Sequence, residues 1–188
     1  MQLCQSLYRM TNVPKSAAAP SRWVAAPPKK SLIVGMGDML VSNDASAQLV
    51  TYSLGSCVGV SIYDPVAKVG GLLHAMLPSS SINLDRAAAR PFMFVDTGLP
   101  AMFHAVYALG GLKHRLIVKL VGGAEFLDEK KVFNIGQRNV EATRAMLERN
   151  SVSLQASETG GRESRTVKLD LANGNFTLDI PGKTPYLL

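Results

Sequence analysis

The stretch "TVKLDLANGNFTLDI", residues 166–180, limits the possible folds more than any other part of this sequence. Val167, Leu169 and Leu171 alternate with polar residues, Asn173-Gly174 follows, and Phe176, Leu178 and Ile180 alternate again. A period of two puts each apolar set on one face of a strand. Asn-Gly between two such runs is the pattern of an antiparallel hairpin. The chain therefore contains a sheet with one packed face, and other elements must cover that face.

More strands are legible upstream. In "LGSCVGVSIYDPVAKVGGLLHAML", residues 54–77, two apolar runs flank the turn signal Asp64-Pro65. They predict strands over 57–63 and 69–77. "SLIVGMGDMLVS" and "AQLVTYSLG" add strands before them, the latter over Leu49 to Tyr52, and "RLIVKLVGG" adds one after. Val95, Leu99, Met102, Val106 and Leu109 recur at helical spacing and predict a helix over 95–109, stopped by Gly110-Gly111. Pro100 suits a first turn or a kink, so the helix is expected to start later, near Gly98. Between these elements "PSSSINLDRAAARP" reads as a polar loop. "IGQRNVEATRAMLERN" predicts a second helix with Val140, Thr143 and Leu147 inward and the pair Arg144 and Glu148 in water. Many strands and two main helices predict an α/β fold, a layered sandwich.

Charge narrows the possible partners. The net charge is +6, but residues 1–30 carry +5 of it, with Arg9, Lys15, Arg22, Lys29 and Lys30 and no acid. The remainder carries +1. It lacks the broad basic face that nucleic-acid binding demands. Residues 1–30, rich in Ala, Pro and Ser and including Trp23, are expected to be a disordered basic extension. Residues 31–188 are expected to form one domain. No apolar run reaches the ~18 residues of a membrane helix, so no membrane insertion is expected. The two cysteines are Cys4, in the extension, and Cys57. A disulfide framework and a zinc site are not expected, and a reducing, cytoplasmic setting is.

Cys57 poses the chemical question. A thiol needs a base, and the chain offers His74, His104 and His114. Of these, His74 lies on the strand next to the one that Cys57 opens. With Tyr63 opposite Val69, Cys57 falls opposite Ala75, and Cys57 and His74 point to opposite faces. A bulge at Gly70-Gly71 would put Cys57 directly against His74. Thr51, Ser53 and Ser56 are hydroxyls that could orient the imidazole. Gly55 and Ser56 leave room for a substrate, and the backbone N–H groups of their turn could form an oxyanion hole. Read from residues alone, Cys57 is either a small core residue or a nucleophile, and His74 either a core histidine or a base.

The stretch "TYSLGSCVGVSIYDPVAKVGGLLHAMLP", with "KLVGGAEF", "IGQRNVEATRAML" and "TGGRESRTVKLDLANG", resembles the CheD family of chemoreceptor glutamine deamidases over nearly all of residues 32–180. The resemblance implies a CheD-like layered α/β sandwich with a mixed, largely antiparallel sheet. It also implies hydrolysis of glutamine side-chain amides in chemoreceptor cytoplasmic domains, with no cofactor. The family's Cys-His-Thr triad falls on Cys57, His74 and Thr51. Association with chemoreceptor arrays and a monomeric state are further expectations. Some relatives bind and stimulate a CheC-type phosphatase, so the alternative role is a regulatory binding module. The sequence departs from the family pattern at Phe126, where Met is common, and in the loop "TGGRESR".

Overall fold

The computed structural model describes residues 29–125 and 134–188. The expected extension, with Cys4 and Trp23, lies outside the described residues except for Lys29 and Lys30, and Phe126 lies outside them too. In chain order the elements are β1 (Lys30–Ile33), β2 (Asp38–Ser42), β3 (Ala47–Leu54), β4 (Val58–Asp64) and β5 (Val69–Ala75). There follow α1 (Leu84–Ala89), α2 (Val95–Ala108), β6 (Ile117–Gly122), α3 (Ile135–Arg149), β7 (Leu154–Thr159), β8 (Arg165–Asp170), β9 (Phe176–Asp179) and β10 (Tyr186–Leu187).

The strands form two five-stranded mixed sheets, in the orders β1-β3-β8-β9-β10 and β2-β5-β4-β6-β7. Parallel pairs occur at β1/β3 and β6/β7, and the other pairs are antiparallel. One core lies between the sheets, built from Leu49, Leu54, Leu72, Val167, Leu169, Phe176 and Leu178. A second lies between the β4-centred sheet and the helices, with Val58, Val60, Leu73, Leu99, Met102 and Leu147. The result is the expected layered α/β architecture. Every residue of β4 is buried, because that strand has a core on each face. Burying one such Val or Ile side chain stabilises by about 1.5–3 kcal/mol.

The β8/β9 hairpin forms as expected, with Leu169 opposite Phe176 and Val167 opposite Leu178. Three other expectations need correction. First, α2 starts at Val95, not near Gly98, and carries Pro100 in its interior. Burial of Val95, Leu99, Met102 and Val106 outweighs the hydrogen bond that proline cannot make. Second, the polar loop contains the short helix α1, whose N-cap Asn83 accepts from Arg86 N–H.

Third, the β4/β5 register differs from the expected one. The β4/β5 ladder runs unbroken, with Asp64 opposite Val69, Tyr63 opposite Gly70 and Gly59 opposite His74. No bulge forms at Gly70-Gly71. These glycines make room for the core instead, since a Cβ on Gly70 would lie 2.4 Å from Leu171 Cδ2. The turn sets this register. The Asp64 carboxylate accepts from Val66 and Ala67 N–H at 2.9 and 3.0 Å, and Lys68 closes the turn at φ 54°. Pro65–Lys68 thus form a four-residue loop. Asp64 also binds Leu112 N–H and the Arg115 guanidinium, at 2.9 and 2.7 Å. Burial raises its pKa, but these hydrogen bonds more than offset that and hold it at about 2.

Candidate active site

Cross-strand partners project to the same side of a sheet, and residues two apart on one strand share a face. His74 pairs with Gly59, so Cys57, two residues before Gly59, lies on His74's face. Packing agrees. Cys57 contacts the core between the sheets, and that core includes Leu72, two residues before His74. Cys57 is not directly opposite His74, but a register shifted the other way, without the bulge, puts the two on one face.

A bulge does occur, but in β3. The β3/β8 ladder pairs Thr51 with Val167 and Leu54 with Arg165, so it gains a residue between them. Ser53 takes φ 56° there, and such a kink re-aims neighbouring side chains. Thr51 turns into the space between the sheets and is fully buried. Its Oγ1 donates to Val34 C=O at 2.7 Å and lies 2.7 Å from His74 Nδ1. A hydroxyl has one proton. With that proton on Val34, Oγ1 can only accept from His74, so Nδ1 carries the ring hydrogen and Nε2 keeps the lone pair. Nε2 is buried and has no hydrogen-bond partner.

Burial holds His74 at about 4 and pushes the Cys57 thiol above its ordinary value. Near neutral pH the resting pair is therefore thiol and neutral imidazole. That suits proton transfer during attack better than a stored thiolate.

The backbone around Cys57 is fixed by two other elements. At the end of β6, Gly123 N–H donates to Cys57 C=O at 2.7 Å and Ala124 N–H to Gly55 C=O at 2.8 Å. Gly122 permits this approach. It takes φ 97°, and a Cβ there would lie 2.3 Å from Cys57 O. From α3, buried Asn139 donates to Ser56 C=O at 2.9 Å and to Met76 C=O at 3.0 Å. The "TGGRESR" loop docks beside them, with Gly160 N–H on Gly122 C=O and Glu125 N–H on Gly161 C=O.

The structure joins Thr51 to His74 and puts Cys57 on the same face of the sheet as His74, with Gly55 and Ser56 in the turn before it. Ser53 and Ser56 side chains are exposed and do not orient the imidazole. His104 lies in a groove between α2 and α3, beside Phe103 and Met146. His114 lies in the helical turn Lys113–Arg115. Two further neighbours of the site come from outside the residues that the sequence motifs single out. Asp38 pairs with His74 across β2/β5, a contact no local pattern announces. Asn139 is a polar residue on the buried stripe Gly136, Asn139, Thr143 and Leu147 of α3, and that misplaced polarity was the available signal. Among the described residues, no three or more His, Cys, Asp and Glu side chains gather to hold a metal ion. No helix among them is long and apolar enough to cross a membrane.

The family model described as CheD chemotactic sensory transduction matches residues 76–179, starting two residues after His74. A Syntrophus aciditrophicus (strain SB) protein named "Probable chemoreceptor glutamine deamidase CheD 1" is 49% identical over 151 residues, covering 80% of this chain and 94% of its own. "Probable chemoreceptor glutamine deamidase CheD" of Solibacter usitatus (strain Ellin6076) is 42% identical over 159 residues, covering 85% and 94%. The protein of that name from Pyrococcus horikoshii is 42% identical over 151 residues, covering 79% and 91%.

Proposed function

The chain belongs to the CheD family, and from that premise we propose that it is a protein-glutamine deamidase acting on the cytoplasmic domains of chemoreceptors. The observation that carries the reading is the Thr51–His74 contact, which leaves a bare Nε2 on the face that Cys57 shares.

Cys57 Sγ attacks the side-chain amide carbon of a glutamine while His74 Nε2 takes the thiol proton. The C=O electrons move onto oxygen, which backbone N–H groups of the Gly55–Cys57 turn stabilise. When the tetrahedral intermediate collapses, the C–N bond breaks and His74 returns the proton to nitrogen, releasing ammonia. Water then attacks the thioester. His74 takes its proton, the C–S bond breaks, and His74 returns the proton to the leaving sulfur, giving glutamate and the free thiol. Thr51 holds the imidazole in the tautomer these steps need. The protein works in the cytoplasm as a monomer at the chemoreceptor arrays.

The test is incubation with a chemoreceptor cytoplasmic fragment and mapping of Gln-to-Glu conversion by mass spectrometry, beside Cys57→Ala. Conversion by the wild type alone is expected. No conversion across several cognate receptors would refute the enzyme, and conversion by Cys57→Ala would refute the nucleophile. The regulatory role, binding a CheC-type phosphatase, rests on family resemblance and is checked by co-purification with such a neighbour.

A further inference from the structure

We infer that Asn139 is a positioning residue for the oxyanion site, aiming the Cys57 N–H by holding the carbonyl on the other side of the same peptide bond. This rests on the proposed role of Cys57. Three buried side-chain atoms without a partner, His74 Nε2, Asn139 Oδ1 and Arg165 Nε, belong to residues around the Leu54–Cys57 turn. Asn139 is fully buried. An amide there costs α3 free energy that an apolar residue would not. Its Nδ2 has two hydrogens, and both serve main-chain carbonyls outside α3, those of Ser56 and Met76. One precedes the nucleophile and the other lies two residues beyond the base.

The geometry follows from a planar trans peptide, in which C=O and the next N–H point in opposite directions. Asn139 draws Ser56 C=O toward α3, so Cys57 N–H points away from it. The flanking carbonyls cannot swing to undo this, because Ala124 holds Gly55 C=O and Gly123 holds Cys57 C=O. The Cys57 N–H lies beside its own sulfur, where it favours the thiolate. A donor there also meets the oxygen of any carbonyl that the sulfur attacks. The carbonyls of Gly55, Ser56 and Cys57 are thus held by three groups, of which Asn139 alone uses its side chain.

The test separates aiming of the N–H from placement of the thiol. Deamidation builds an oxyanion, whereas alkylation of Cys57 by iodoacetamide does not. Asn139→Ala is expected to lower kcat about a hundredfold, the usual scale for losing one oxyanion donor. KM should stay within about threefold, and the alkylation rate of the fully ionised thiol, read on the high-pH plateau, within about twofold, while the pH at which alkylation sets in moves up. A kcat within about threefold of wild type, or a plateau alkylation rate falling in parallel with kcat, overturns the proposal. If Asn139→Ala does not fold, Asn139→Ser and the isosteric Asn139→Asp are judged by the same criteria. Failure of all three to fold makes Asn139 a folding residue and also overturns it. Deamidation surviving in Cys57→Ala refutes the parent reading instead, whatever the Asn139 variants do.

Discussion

Thr51 and His74 belong to different sheets, yet Thr51 Oγ1 lies 2.7 Å from His74 Nδ1 while donating to Val34 C=O. The candidate catalytic group therefore spans the sandwich, and its assembly reports on how the two sheets pack.

Thr51→Val keeps the shape and removes the oxygen. Kcat should fall roughly ten- to a hundredfold, part of the 10²–10⁴ that a placed acid–base group contributes, with KM little changed. The buried Nδ1–H and Val34 C=O lose their partner, costing about 1–3 kcal/mol of stability. Thr51→Ser should restore most of both. Steady-state deamidation and urea unfolding give the two readouts.

His74 should set the acid limb of activity. Its folded value of about 4 lies below the ordinary value of about 6.5. The neutral base should persist well into the acid range, and kcat/KM should fall only near pH 4. For stability the sign is fixed. The unfolded chain binds a proton that the folded one refuses, so stability is full above pH 6.5 and declines as pH falls to 4, by about 3 kcal/mol in total. His74→Gln should remove that slope. Asp38, the cross-strand neighbour, is the nearby acid to vary as a control. Chemical denaturation at several pH values measures this.

Asp64→Asn should be costly, because Asp64 is fully buried and Arg115 would lose its carboxylate. Breaking such a pair costs roughly 3–5 kcal/mol, or on the order of 10 °C in Tm. In the wild type about 2 kcal/mol of stability, the part that titrates, is present above pH ~4 and is lost as pH falls toward 2. That window lies below that of His74. Calorimetry of both proteins tests it.

Gly122→Ala should disable the site from outside the triad. The added Cβ would meet Cys57 O at 2.3 Å at a φ that disfavours alanine. The Cys57 backbone must shift, and deamidation should fall at least about a hundredfold, the scale of an active site displaced by ~1 Å. The control is Gly160→Ala. Its glycine also has a positive φ but open space around it, so any strain there should leave Cys57 in place. Parallel activity assays of the two variants decide.

Much of this was legible along the chain. The hairpin around Asn173-Gly174 and both long helices follow from local periodicity. So does the proximity of Cys57 to His74, since their strands are consecutive. The register was not legible. It hung on whether the turn after Asp64 takes four residues or five, and that was decided by Val66 and Ala67 N–H binding its carboxylate. One residue there decides whether Cys57 and His74 share a face.

The sequence by itself determined the long helices, most strands, the layered class and the chemical types at the candidate site, because period and turn chemistry act over a few residues. Only the tertiary structure decided the working arrangement. The Thr51–His74 contact forms where two sheets meet, and Asn139 reaches Ser56 across 83 positions of chain. Contacts of that range depend on how packed layers align. No local pattern encodes that alignment, because the free energy that fixes it comes from burying both cores at once.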